Sequence, residues 1–257
     1  MKGYIFDLDG TIYLGDEIIE GAAETISMLK HNGHKVAFLT NKSIATRHDY
    51  YEKLNKMNID VKMSEIVNSN YIAALYLKQY MKEGQSVFLI GEEALIQEIQ
   101  DLRINVTNDP ERASFVLIGW DRRFTYEKIN AAFQAWKAGA KVIATNPDKT
   151  CPVKGGEIPD CGAMIGAIEG SIDEKIEIVG KPSEIMIDFV IENILKLPRE
   201  NCYMVGDRLE TDIKMANDTG VKSILVMSGI TDDEMLDSDR CHYPDYIMPN
   251  VNSILKL

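Results

Sequence analysis

The residues best suited to chemistry stand at the start of the chain, in Tyr4-Ile5-Phe6-Asp7-Leu8-Asp9-Gly10-Thr11, an apolar run that ends in two carboxylates and a Gly-Thr. Tyr4 to Asp7 is predicted to form a short buried strand, stopped by a turn at Gly10. Side chains alternate across a strand, so extended geometry through Leu8 sends Asp7 and Asp9 to one side, toward one ligand. Two carboxylates that close repel each other unless a cation lies between them or one holds a proton. Hard oxygen ligands of this kind suit Mg²⁺, which usually keeps several waters and shares a substrate phosphate.

Three further polar groups each follow a predicted strand. Lys35-Val36-Ala37-Phe38-Leu39 stops at Thr40-Asn41. Ile176-Glu177-Ile178-Val179 stops at Gly180-Lys181-Pro182, and Cys202-Tyr203-Met204-Val205 stops at Gly206-Asp207-Arg208-Leu209-Glu210-Thr211-Asp212. Ligands of open α/β sheets bind beyond the carboxyl ends of the strands. An acid pair, a hydroxyl, a lysine and a second acid pair would converge there, as a metal and a phosphate require. Pro182 biases Lys181 away from helical backbone and keeps it extended. Thr40 also fits the N-cap of a following helix.

In this order the residues resemble the haloacid dehalogenase superfamily of phosphotransferases. Its four motifs are an Asp-x-Asp-x-Thr strand end, a Thr or Ser, a Lys, and a Gly-Asp-x-x-x-x-Asp; here they span positions 7 to 212. The likeness extends to the NagD-like phosphatases through Thr40-Asn41, Thr145-Asn146-Pro147-Asp148, Val179-Gly180-Lys181-Pro182 and Gly206-Asp207-Arg208, and so covers nearly the whole chain. Two positions depart from it. Lys42 stands where a second Asn is usual and is expected to point to solvent, the alternative being that it favours a more anionic leaving group, and Glu210 stands where Asp is frequent.

The resemblance implies an α/β fold: a Rossmann-like core with a parallel sheet, and an inserted α/β cap domain that closes over its catalytic face. It further implies hydrolysis of phosphate monoesters through a covalent aspartyl-phosphate. Asp7 would be the nucleophile. Asp9 would protonate the leaving alkoxide and then deprotonate the attacking water. Mg²⁺ would be held by Asp7, the backbone carbonyl of Asp9 and Asp207, with Asp212 binding through a water or orienting Lys181. Thr40 and Lys181 would bind the phosphoryl group, with Asn41 near the cap hinge and leaving group. Backbone amides around Leu8 to Thr11, and after Thr40, are expected to add donors. Asp9 favours a phosphatase, since dehalogenases of the superfamily lack this second acid. The alternatives are a phosphotransferase or phosphomutase using the same intermediate, or a catalytically idle sensor of a phosphorylated metabolite.

The stretch between Thr40 and Lys181 is far longer than the roughly 30 residues one βα unit needs, so a second domain is inserted there. Within it, 86–90, 115–118 and 141–144 read as strands, separated by helices over 92–101 and 125–138. The core is placed at 1–81 and 176–257 and the cap at 82–175. In helix 125–138, Ile129, Ala132, Phe133 and Trp136 fall on one apolar face; in helix 183–196 so do Ile187, Val190, Ile191 and Ile194. Asn146 and Asp148 open a cap segment running to Cys161, in which Lys149, Cys151, Lys154, Gly155 and Gly156 could touch a leaving group.

With 257 residues, the chain can bury ample core. Its net charge of −12 argues against nucleic acid or an anionic membrane as partner, and makes local cations responsible for drawing an anionic substrate. No apolar stretch reaches the ~18 residues of a membrane span, and Asp7 and Asp9 interrupt any signal-peptide core. Cys151, Cys161, Cys202 and Cys241 show no C-x-x-C spacing, so neither zinc nor a disulfide scaffold is suggested. The expectation is a cytoplasmic enzyme, monomer or homodimer, acting on a small phosphorylated metabolite.

Overall fold

The computed structural model describes residues 1–153 and 155–257; Lys154 lies outside the described residues. The chain divides into two compact units: Met1–Thr40, Arg47–Val67 and Lys181–Leu257 form the first, Asn41–Thr46 and Asn68–Gly180 the second. Among the described residues no helix is long and apolar enough to cross a membrane.

The first unit is built on a six-stranded sheet in the order Tyr246–Met248, Lys222–Val226, Cys202–Gly206, Gly3–Asp7, Lys35–Thr40, Ile66–Asn68. Gly3–Asp7 pairs in parallel with both neighbours, Phe6 opposite Val205 and Phe38, and Asp7 opposite Leu39. All five residues of Gly3–Asp7 are buried, as expected where helices cover both faces of a parallel sheet and strands read as unbroken apolar runs. Chain order reverses at this strand: the sheet grows outward through 35–40 to one side and through 202–206 to the other. Such a switch point opens a crevice at the strands' carboxyl ends. It is where Asp7, Thr40 and Asp207 emerge.

The second unit has its own four-stranded parallel sheet, ordered Glu177–Ile178, Lys141–Ala144, Phe115–Ile118, Val87–Ile90. Helices Ser69–Tyr80, Glu93–Asp101, Tyr126–Lys137 and Cys161–Glu169, with an antiparallel hairpin Thr150–Val153/Gly156–Pro159, complete it. Helix Tyr126–Lys137 places Ala132 and Ala135 in the core, with Ile129, Phe133 and Trp136 packed against it.

Two expectations are corrected. The strand expected at 176–179 shortens to Glu177–Ile178 and belongs to the second unit's sheet, beside Lys141–Ala144. Lys181 is therefore not carried by a strand of the central sheet; it is the residue at which the chain re-enters the first unit. The insertion also begins earlier and ends later than 82–175, because helix Ser69–Tyr80 packs against Glu93–Asp101 and stays with the second unit up to Gly180. In the helix after Lys181, an α-helical turn Glu184–Phe189 passes into a π-helix over Val190–Leu195. The wider π turn moves the buried stripe by one residue, so Leu195 is fully buried and Ile194 only partly.

Candidate active site

Gly3–Asp7 ends in a turn that closes on itself. The Leu8 carbonyl accepts N–H bonds from Thr11, Ile12 and Tyr13 at 3.2, 2.8 and 3.3 Å, and Gly10 N–H donates to the Tyr13 carbonyl at 2.8 Å. Gly10, at φ +87°, is in the left-handed region, and a Cβ there would collide with the Asp207 carboxylate. Only glycine meets both conditions. The amides of Gly10 and Thr11 donate inside this turn, so of the amides expected to reach a phosphate these two are engaged elsewhere.

Asp7, Lys181, Asp207 and Asp212 form one buried group in the first unit, none more than 6% exposed. Lys181 Nζ donates to Asp7 Oδ1 and, at 2.7 Å, to Asp212 Oδ1. The other oxygen of Asp212 accepts the Arg208 N–H at 3.2 Å, within the π-helix Leu209–Ile213 that follows the Gly206-Asp207 strand end. Asp212 is thereby occupied in holding Lys181. The Lys181-Pro182 bond is cis, as proline permits.

Asp207 is held from a segment that sequence reasoning missed. Ile230 N–H donates to its Oδ2 at 2.7 Å, Thr231 Oγ1 donates to its carbonyl at 2.5 Å, and Ser228 Oγ ties the Gly10 carbonyl at 2.8 Å. Gly229 lies so close that a Cβ would overlap Asp207. The signal was present: Ser228-Gly229-Ile230-Thr231 follows an apolar run, Ile224–Val226, and has the small-residue composition of a turn.

Three carboxylates share this site with one lysine. Burial, opposed by Lys181 and reinforced by Asp212 and Asp207, holds the Asp7 carboxyl well above the usual carboxylate range. Burial and then the Asp212 charge push Asp207 up to about 7. For Lys181 burial would lower the pKa, but Asp212 and Asp7 outweigh it and the ammonium is stabilised. One oxygen each from Asp7, Asp207 and Asp212 lies within 4.8 Å of the others, and Asp207 Oδ1 is buried with no hydrogen-bond partner. An orphaned anionic oxygen is costly unless a ligand engages it. A hard divalent cation meets that need, and the all-oxygen donor set fits it.

Asp9, partly buried, accepts a hydrogen bond from the Tyr13 hydroxyl at 3.2 Å. Thr40 is buried at the end of its strand. It is not a helix N-cap, because the following helix begins only at Arg47.

Asn41, Asn146 and Asp148 meet within the second unit. Asn41 Nδ2 and Asn146 Nδ2 both donate to Asp148 Oδ2, at 2.9 and 2.8 Å, and Asn146 Nδ2 also approaches Asp160 Oδ1 at 3.3 Å. Ser69 Oγ donates to the Asn41 carbonyl at 2.8 Å. Asp160 caps helix Cys161–Glu169, and the Gly162 N–H donates to the Asp148 carbonyl at 2.8 Å. Neither Asp160 nor Gly162 stood out beforehand, although an Asp before a helical stretch is an N-cap signal. Lys42 is half-buried. Cys151 is buried on the hairpin, whereas Lys149, Gly155 and Gly156 are exposed.

Comparison with known proteins brings these features together. Residues 4–105 match the family described as haloacid dehalogenase-like hydrolase, and residues 178–254 its HAD-hydrolase-like counterpart. The sugar-phosphatase AraL of Bacillus subtilis is 35% identical over 99% of this chain and 92% of its own length. An acid sugar phosphatase of Staphylococcus haemolyticus is 36% identical over 98% of this chain and 94% of its own. Among solved structures, the p-nitrophenyl phosphatase of Archaeoglobus fulgidus superimposes with a TM-score of 0.93 at 30% identity, covering 99% of this chain and 98% of that one. NagD of Escherichia coli K-12 gives 0.87 at 30% identity, covering 98% and 97%. The glycerol phosphate phosphatase of Mycobacterium tuberculosis in complex with magnesium gives 0.89 at 25% identity, covering 98% and 76%.

Proposed function

Since the chain belongs to the haloacid dehalogenase-like hydrolases, in their NagD-like branch, we propose that it hydrolyses small phosphate monoesters of the cytoplasm by way of a phosphoryl group carried on Asp7. The enzyme is a phosphoric monoester hydrolase. One observation carries the finer reading: three buried carboxylates and one buried lysine stand together at a sheet switch point, with an anionic oxygen of Asp207 left over.

Asp7 attacks phosphorus through a carboxylate oxygen, the P–O bond to the leaving group breaks, and its oxygen takes a proton from Asp9. Asp9, now a carboxylate, removes a proton from water as that water attacks the aspartyl-phosphate, which releases inorganic phosphate and restores both acids. Lys181 carries a compact charge and Thr40 a hydroxyl donor to the phosphoryl oxygens, where negative charge develops in the transition state. Asp212 keeps Lys181 extended and protonated. Mg²⁺ would be held by Asp7, the Asp9 carbonyl and Asp207, and when bound supplies positive charge that lets one anion approach another. The magnesium and calcium complexes of the mycobacterial relative support a hard divalent cation in this role.

Asn41, Asn146 and Asp148 form one hydrogen-bonded set within the second unit. The relatives' names, sugar phosphatases and a glycerol phosphate phosphatase, support polyol and sugar phosphates as the substrate class. The test is phosphate release with Mg²⁺ across a panel of small phosphomonoesters, with Asp7→Asn as control. Release confined to sugar and polyol phosphates, and lost in the variant, is expected. Release that persists in Asp7→Asn would remove the covalent mechanism, and transfer to another acceptor without free phosphate would make the protein a phosphotransferase.

A further inference from the structure

Tyr13 is a fully buried tyrosine beside the second acid of the opening motif. It starts the short hairpin Tyr13–Leu14/Glu17–Ile18, and it is 0% exposed. A buried hydroxyl costs stability unless it is hydrogen-bonded. This one donates to Asp9 Oδ2 at 3.2 Å. The surroundings hold the ring in place. Gly10 N–H clips the Tyr13 carbonyl at 2.8 Å, so that Tyr13 is bridged to Asp9 through the backbone as well as the side chain. From the helix Arg47–Lys56, Lys53 lays its ammonium 3.8 Å from the centre of the ring and donates to the Gly15 carbonyl at 2.6 Å, beyond the tyrosine.

We infer that Tyr13 is a positioning residue for the proton transfer by Asp9, its hydroxyl fixing which carboxyl oxygen of Asp9 carries the transferable proton. A carboxyl with one oxygen engaged by a donor keeps its own proton on the other, so the hydrogen bond selects the oxygen and holds the rotamer. The inference rests on the acid–base role proposed for Asp9. It predicts a dependence on the leaving group. An alkoxide cannot depart without a proton, whereas p-nitrophenolate, stabilised by its ring, can.

The experiment compares kcat/KM, which reports the steps through phosphoryl transfer to Asp7, for glycerol 3-phosphate and p-nitrophenyl phosphate. Wild type, Tyr13→Phe, Asp9→Asn and the double variant are measured with saturating Mg²⁺. Tyr13→Phe is expected to lose roughly tenfold with the alkyl phosphate, the effect of about one hydrogen bond, and less than about twofold with the aryl phosphate. In the Asp9→Asn background the same substitution should change neither rate, because the group it positions is gone. Equal losses on both substrates, or a loss that persists without Asp9, would overturn the inference and leave Tyr13 a packing residue. If Asp9→Asn itself slows both substrates equally, the acid–base reading of Asp9 fails, and that outcome is distinguishable from failure at Tyr13 alone.

Discussion

The two units handle buried polarity in opposite ways. In the first, Asp7, Asp207 and Asp212 are buried around one lysine, two of the three acids have raised pKa values, and one oxygen has no partner. In the second, Asp148 and Asp160 are met by the amides of Asn41 and Asn146 and by helix and turn N–H groups. The first arrangement sets three carboxyl groups against one lysine; the second is satisfied by neutral donors. Electrostatic strain thus marks the place where chemistry occurs, and a saturated network marks the place where geometry is held.

The comparison breaks most completely at the nucleophile. Asp7→Asn should reduce phosphate release to background while the thermal transition remains cooperative; measurable turnover would mean that the strained group is not where the reaction happens.

Next in size is the glycine that lets Asp207 approach. Gly10→Ala places a methyl group on the Asp207 carboxylate at a positive φ. It should weaken the apparent Mg²⁺ affinity by about 10–100-fold, the range seen when groups that orient metal ligands are lost. Titrating activity against Mg²⁺ measures this, and an unchanged midpoint would contradict it.

Stability should follow the same logic. Asp207 has its folded pKa raised from 3.8 to about 7, and Asp7 is shifted in the same direction. The folded state therefore binds more protons than the unfolded one across that window, and metal-free protein should lose stability as pH rises from about 4 to about 7. Melting curves in EDTA at about pH 5 and about pH 8 should show the higher midpoint at the lower pH, and Mg²⁺ should remove the difference by preferring the ionised carboxylates. A metal-free protein more stable at the higher pH would show that the acids are not strained.

The smallest effect belongs to the second unit. Asp148→Ala deletes the acceptor of two amide hydrogen bonds and should cost about 1–3 kcal/mol. That loss should be the same with EDTA as with Mg²⁺. A cost that grows when the metal is added would show that the two networks are coupled.

Much of this arrangement was legible in the sequence, for a definable reason. Asp7, Thr40 and Asp207 follow short apolar runs, and a parallel sheet forces the ends of such runs to one edge. The sheet to which a run belongs was not legible. Ile176–Val179 has the same apolar composition as Cys202–Val205, yet Glu177–Ile178 pairs with Lys141–Ala144 in the other unit, because pairing depends on partners far away in sequence. The same reason hid the unit boundaries, which fall at Thr40/Asn41 and Gly180/Lys181, next to residues of the proposed phosphate site. The Ser228–Thr231 loop escaped notice because hydroxyls, backbone N–H groups and the missing side chain at Gly229 do its work, and such a composition is that of any turn. The π-helical turn at Val190–Leu195 depends on tertiary packing that periodicity does not carry.

The most direct test of the account is to look for the phosphoryl group on the chain. Asp9→Asn protein, mixed with Mg²⁺ and labelled p-nitrophenyl phosphate, whose leaving group departs without a proton, and quenched in acid, should retain the label as a hydroxylamine-sensitive acyl phosphate that peptide mapping assigns to Asp7. Its turnover should fall by at least ~100-fold, the lower range for general acid–base catalysis. Label found on another residue, or slow turnover with no labelled chain at any time, would contradict the covalent route through Asp7.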